Sequence, residues 1–332
     1  MGAGPSGLLL SLLLSSCTPP IRSTIVERRT QVDDNPRASF YASPVLREFR
    51  RVPGLMERVL ERSFVPDAVA WRHLDGREIC RIEPPNDAEG ERRGEGRDGK
   101  AGGVTMVSLP LDGLLPIMVE LLKGIADEEA GVGRLLLGRE VVAVGQDRDQ
   151  ERAWVDVKAE GSEAVERMEG HYVIGCDGAN STVRKALFGD SWPGFTWDKQ
   201  IVATNVRPRT ERARVQRQPL TSCEQVYYPR FESFKWTSSS FMLDPAHFSM
   251  IAQIAPDGLL RITYGEEGNL TREQMQERLP WKFKQFVPGA PEPSEYSVVN
   301  FSPYKIHQRC AESLRVGRIL LAADSAHVCN PL

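Results

Sequence analysis

The residues best suited to chemistry stand in three short, widely separated segments. The first is Gly2-Ala3-Gly4-Pro5-Ser6-Gly7, a G-x-G-x-x-G sequence that opens an apolar helical stretch through Leu14. At that spacing the first glycine makes a tight turn, the second lets the backbone approach a pyrophosphate, and the third lets helix and sheet pack closely. The helix N-terminus adds amide donors and the positive end of its dipole. Ser23-Thr24-Ile25-Val26-Glu27 follows as a short β-branched strand, and its acid falls 20 residues after Gly7, where a ribose-binding carboxylate belongs.

The second segment, residues 171–184, reads His-Tyr-Val-Ile-Gly-Cys-Asp-Gly-Ala-Asn-Ser-Thr-Val-Arg. A short apolar strand runs into Asp177-Gly178, Ser181 caps a helix, and Arg184 stands one turn on. The third, residues 317–332, reads Gly-Arg-Ile-Leu-Leu-Ala-Ala-Asp-Ser-Ala-His-Val-Cys-Asn-Pro-Leu, a buried strand that delivers Asp324 to its carboxyl end. Open α/β sheets bind ligands at that end of their strands.

Other patterns fit the N-terminus. Met1 to Ser6 satisfies a myristoylation pattern, Leu14-Ser15-Ser16-Cys17 a lipoprotein cleavage box, and Leu8 to Leu14 a signal-peptide core. A signal peptide starts with basic residues, yet the first positive charge here is Arg22, beyond the apolar stretch. The strand-end glutamate favours the nucleotide reading.

The elements that must position these residues belong to an ordinary globular chain. Its 332 residues suggest two domains, and 41% hydrophobic with 26% charged residues is the balance of a folded protein. With 42 basic and 45 acidic residues the net charge is −3, so no global field attracts nucleic acid. The run Arg207, Arg209, Arg212, Arg214 and Arg217 has no aromatic stacking partners and reads as a solvated edge. The six cysteines lack metal-ligand or disulfide spacing, which points to a reducing, cytoplasmic setting. Leu8 to Leu14 is too short to span a bilayer, which takes about 20 apolar residues.

Val45 to Arg62 has helical apolar spacing interrupted by Pro53-Gly54, and Leu114 to Leu122 suits a helix over the sheet. Glu140 to Val144 and Ala153 to Val157 alternate as strands. Residues 84–103 are glycine-rich with mixed charge and read as a flexible insertion. From about 186 to 305 the pattern changes to strands with aromatics: Gln225 to Tyr228, Phe234 to Trp236, Met250 to Ala252 and Leu260 to Tyr264. Tyr227, Tyr228, Arg261 and Tyr264 are candidate substrate contacts, because a phenolic ligand wants a hydroxyl partner and a guanidinium can hold an anion. No hydrolytic triad is evident; His307 and His327 read as structural.

The ordered set of G-x-G-x-x-G, strand-end glutamate, D-G-x-x-S-x-V-R and G-R-x-x-L-x-x-D-x-A-H resembles the FAD-dependent monooxygenases of the para-hydroxybenzoate hydroxylase type. The resemblance covers essentially the whole chain. It implies an α/β fold with a Rossmann-like FAD-binding domain, doubly wound and mostly parallel, carrying an inserted, largely antiparallel substrate-binding sheet. The implied boundaries are 1–185 and 306–332 for the FAD-binding domain and 186–305 for the sheet. Gly2, Gly4 and Gly7 are assigned to the FAD pyrophosphate, Glu27 to the adenosine ribose and Arg37 to the diphosphate. Asp177 is assigned to FAD and nicotinamide nucleotide binding, and Asp324 to the ribityl chain.

The implied reaction consumes NADPH or NADH and O2, passes through a flavin hydroperoxide, and oxygenates a small aromatic or polyketide-like substrate. Two departures stand out. The family usually has glycine where this chain has Ala323, and the chain ends at Pro331-Leu332, where the family continues into a glycine-rich turn and a long helix. The expectation is therefore that the first strand and a C-terminal part are missing. A non-catalytic remnant, or a flavin oxidase or halogenase on the same scaffold, are the alternatives.

Overall fold

The computed structural model describes residues 1–32, 39–83, 104–128, 131–147, 149, 151–208, 234 and 236–329. Arg37, Tyr227, Tyr228 and the 84–103 stretch lie outside them.

Short β-branched and apolar runs form a parallel layer. Thr24–Val26 pairs in parallel with Arg134–Leu136, and Val173–Gly175 pairs in parallel with Ile319–Leu321, which Arg315–Val316 flanks antiparallel. Met1 and Gly2 lie between the two pairs. The Met1 amine donates to the Ile174 carbonyl (2.7 Å), the Cys176 amide donates to the Met1 carbonyl (2.8 Å), and the Gly2 amide donates to the Val26 carbonyl (2.9 Å). The first two residues thus bridge the two strand pairs, and the glycine motif leaves this layer at its carboxyl edge.

The helix Pro5–Ser15 starts on proline, whose missing N–H costs nothing in a first turn. Its Leu8 and Leu12 are fully buried against Leu114, Leu115, Met118 and Leu122 of the helix Leu111–Glu128. Each such side chain contributes roughly 1.5–3 kcal/mol of burial. This core fixes the direction in which the first helix points its N-terminus.

An eight-stranded sheet runs in the order His327–Val328, Tyr296–Cys310, Gly194–Pro208, Leu260–Glu267, Ser249–Gln253, Ser239–Met242, Val69–Arg72, Glu78–Ile82. All its pairings are antiparallel except Ser239–Met242 with Val69–Arg72. The 186–305 stretch supplies most of these strands, and residues 69–82 and 327–328 complete the sheet. One face packs Val202, Ile251, Ile262 and Tyr264 against Phe283 and Phe286 of the helix Arg272–Phe286. Side chains alternate along a strand, so Arg261 and Thr263 point to the other face. A separate antiparallel sheet joins Arg139–Gln146, Ala153–Ala159 and Val165–Gly170.

Several expectations change. Val45 to Arg62 forms two helices, Ser43–Arg50 and Leu55–Arg62, because Gly54 takes φ +75° between them. The helix over Leu114 to Leu122 extends to Leu111–Glu128 despite Pro116. Phe234 sits in a turn and Trp236 outside any strand, where it packs into the core against Arg72. The helix Arg272–Phe286 was not anticipated: Pro280 and a mixed polar pattern obscure it, although Thr271 and Gln274 form a capping box at its start. Among the described residues, no helix is long and apolar enough to cross a membrane.

Candidate functional site

The three motif segments meet at the carboxyl ends of neighbouring strands. Gly2 has φ +91°, and a Cβ there would stand 2.4 Å from the Cys176 carbonyl oxygen. A Cβ on Gly7 would stand 2.0 Å from the Gly2 carbonyl oxygen. At Gly4 a Cβ would meet nothing within 4 Å. Two glycines are therefore required by the protein's own packing, whereas Gly4 fronts open space into which a ligand can approach the backbone. No side chain caps the helix behind it, which leaves first-turn amides for an anion.

Glu27, half-buried at the end of Thr24–Val26, spans the loop. Its Oε2 accepts from the Ala3 amide (2.8 Å) and its Oε1 from the Arg29 amide (3.0 Å). It holds the glycine turn against the strand and keeps lone pairs for a further donor. Beyond it, Arg28, Arg29, Thr30, Gly138 and Lys158 line a cleft of about 720 Å³.

Asp177 leaves Val173–Gly175 and turns back on its own loop. Its carboxylate accepts from the Ser181 hydroxyl (2.6 Å) and from the Thr182 (2.7 Å) and Val183 (3.3 Å) amides at the start of the helix Thr182–Phe188. Arg184, 3% exposed, donates to the Ala179 carbonyl (2.8 Å) and the Ser325 carbonyl (3.1 Å), with its guanidinium 3.6 Å from the Trp192 ring centroid. Burial lowers the Arg184 pKa from its ordinary value, against the opposing pull of Asp177. Arg184 thus ties the Asp177 loop to the Asp324 turn.

That turn is the short 3-10 segment Ala323–Ser325. The Ser325 hydroxyl donates to the Gly175 carbonyl (2.6 Å), and the Ala322 amide donates to the same carbonyl (2.9 Å). Asp324 is exposed and makes no hydrogen bond among the described residues. Ala323 takes φ +53°, the left-handed region that favours glycine. The left-handed conformation costs an alanine about 1–2 kcal/mol, and a glycine gives back about 0.5–1 kcal/mol in the unfolded chain. Ala323→Gly is expected to stabilise the protein by about 0.5–1 kcal/mol, read as a small rise in thermal midpoint; a lower midpoint would show that the methyl group packs favourably.

The candidate substrate residues separate. Tyr264 is 1% exposed and packs edge-on against Phe283, in the core beneath the helix. Arg261 lies on the opposite face, buried, with its Nε donating to Asn205 Oδ1 (2.6 Å). Burial lowers the Arg261 pKa, while Tyr304, Asp112 and Tyr41 oppose that shift. Tyr41 is raised far above its ordinary value by burial and by Asp112, and its hydroxyl has no hydrogen-bond partner among the described residues. Burial raises Tyr304 too. Tyr41, Asn205 and Tyr304 carry no mark in their local pattern: register places Asn205 opposite Arg261, Tyr304 comes from the next strand of the same sheet, and Tyr41 comes from a separate pair of strands, Phe40–Ala42 with Met106–Ser108.

The whole chain, residues 1–332, matches the family model described as FAD binding domain. The chain belongs to that family. It is 28% identical over 332 residues to the para-nitrophenol 4-monooxygenase of Pseudomonas sp. strain WBC-3, covering 100% of this chain and 72% of that protein. It is 29% identical over 337 residues to the 6-hydroxy-3-succinoylpyridine 3-monooxygenase HspB of Pseudomonas putida strain DSM 28022 / S16, with the same coverage, 100% and 72%. The crystal structure of p-nitrophenol 4-monooxygenase PnpA from Pseudomonas putida DLL-E4 superposes with a TM-score of 0.81 at 28% identity, covering 99% of this chain and 72% of that one. These relatives make this family member an FAD-dependent monooxygenase.

The FAD site passes a physical test within the chain. An open approach at Gly4, an uncapped helix N-terminus and an unengaged carboxylate at Asp324 lie along one strand-end edge. They offer backbone amides to a pyrophosphate and a carboxylate to a polyol chain.

Proposed function

We propose that the chain catalyses NAD(P)H-dependent insertion of one oxygen atom from O2 into a small aromatic substrate. The observation that carries this reading is the strand-end edge, where Gly4 faces open space, the first-turn amides carry no side-chain cap, and Asp324 makes no hydrogen bond among the described residues while the Asp177 carboxylate is engaged by Ser181, Thr182 and Val183. When bound, FAD supplies hydride acceptance and oxygen activation.

The chain's own residues do the positioning. Gly2 and Gly7 shape the loop that carries Gly4 to the pyrophosphate, with first-turn amides as donors. Glu27 holds that loop and would receive a ribose hydroxyl, and Arg28 and Gly138 line the cleft beside it. Asp324 accepts from the ribityl chain, and Asp177 with Arg184 keeps its turn in place. Arg37, near the diphosphate, completes the set.

The FAD-binding part comprises 1–185 and 306–332, and the 186–305 strands form the substrate side. There Arg261 orients an anionic substituent, with Tyr227 and Tyr228 as further contacts; Tyr264 acts by holding the sheet beneath. The para-nitrophenol and hydroxypyridine monooxygenases among the relatives support a single electron-rich ring as substrate. Free thiols at Cys17, Cys80, Cys176, Cys310 and Cys329 fit a cytoplasmic enzyme.

The test is the visible spectrum of the purified chain with the released nucleotide quantified, followed by NAD(P)H oxidation with 4-nitrophenol under ¹⁸O2. Near-stoichiometric FAD and labelled product are expected. A folded, colourless protein that takes up no added FAD would overturn the proposal and leave a non-catalytic remnant.

A further inference from the structure

The face of the eight-stranded sheet that carries Arg261 also carries a row of side chains headed by two stacked aromatic rings. Register pairs Trp71 with Phe241, Phe241 with Met250, Met250 with Thr263 and Thr263 with Ala203, so these side chains cross the sheet in one line on one face. The Trp71 and Phe241 rings are stacked, with centroids 5.7 Å apart and planes 13° from parallel. Trp71, Phe241 and Met250 are half-buried, and none of them belongs to the apolar core that fills the helix-covered face.

The row points at Arg261. Met250 lies directly opposite Thr263, and Arg261 is two residues along the same strand, which makes Met250 and Arg261 diagonal neighbours about 7–8 Å apart at Cα. That diagonal is the reach of one substituted ring. An aromatic surface at one end and, at the other, a guanidinium bonded to Asn205 with Tyr304, Asp112 and Tyr41 around it match a planar ring that bears an anionic or strongly electron-withdrawing group.

We propose that Trp71, Phe241 and Met250 form the aromatic wall of the substrate pocket and set its preference for a single planar ring held toward Arg261. The inference rests on the monooxygenase reading above and adds the residues that select the ring. A merely structural pair would also strengthen the parallel junction of Ser239–Met242 with Val69–Arg72, so binding must be separated from stability.

The experiment titrates 4-nitrophenol into protein carrying ¹³C-methyl methionine, with and without added FAD. The Met250 methyl resonance is expected to shift with saturation, from the ring current of a stacked ligand. Trp71→Leu and Phe241→Leu are each expected to raise the dissociation constant about tenfold with FAD content kept, and Trp71→Phe to restore it within about twofold. A Met250 methyl that stays silent while FAD is retained, or Leu variants whose affinity stays within twofold of the parent, overturns the wall. Failure of the flavin reading shows separately, as absence of FAD from the unsubstituted protein.

Discussion

A Gly4→Val chain is expected to fold as the parent does and to emerge colourless. The valine Cβ enters space with no protein atom within 4 Å, so the fold bears only a poorer helix cap, about 1 kcal/mol at most. The same branched side chain fills the approach through which, in the proposed site, a pyrophosphate would reach the first-turn amides. Gly7→Ala should behave in the opposite order. Its methyl would stand 2.0 Å from the Gly2 carbonyl oxygen, a backbone atom that moves only if the loop moves. Overpacking of this kind costs about 1–3 kcal/mol or more, and FAD would be lost as a consequence of the displaced loop. Thermal midpoint and FAD stoichiometry, measured on both variants, separate the roles. A Gly4→Val protein that retains stoichiometric FAD would remove the pyrophosphate from this loop.

The parts of the site that were legible in the sequence share a cause. A buried parallel strand is a short apolar run, and the residue after it lands at the carboxyl edge of the layer, so Glu27, Asp177 and Asp324 announce their position without any tertiary knowledge. The glycine spacing says which backbone must come close, and the close approaches at Gly2 and Gly7 agree with it. What sequence does not carry is the partner each carboxylate finds. Asp177 and Asp324 look equivalent as strand-end acids, yet the serine and amides downstream of Asp177 claim its oxygens while nothing described claims those of Asp324.

Register is the second hidden quantity. Arg261 and Tyr264 are three residues apart and so fall on opposite faces of their strand, one toward Tyr41 and the other into the Phe283 and Phe286 core. An aromatic strand read without its neighbours offers both as pocket residues; only the placement of the helix Arg272–Phe286 decides. Trp71 illustrates the converse. Its strand joins the sheet through a parallel pairing with Ser239–Met242 that lies some 170 residues away, |i−j| = 171 at the adjoining Asp67–Ser238 contact, and no local pattern predicts such a partner.

The two strand-end aspartates therefore give a second sharp pair of variants. Asp324→Ala removes an exposed carboxylate that bonds nothing described, so the thermal midpoint of the FAD-free protein should stay where it is. The FAD affinity should fall about ten- to 150-fold, since a hydrogen bond to a charged group contributes roughly 1.5–3 kcal/mol. Asp177→Ala removes a carboxylate that satisfies one hydroxyl and two amides at a helix start. The orphaned donors and the lost charge at the positive helix end cost about 1–3 kcal/mol of stability, and Arg184, which bridges that loop to the Ser325 carbonyl, passes the disorder on to the Asp324 turn. The FAD-free Asp177→Ala protein is accordingly expected to melt several degrees lower, whereas FAD-free Asp324→Ala melts with the parent. Should Asp324→Ala keep parental FAD affinity, the ribityl contact belongs to another residue; should Asp177→Ala keep the parental midpoint, its three hydrogen bonds contribute nothing to the folded state.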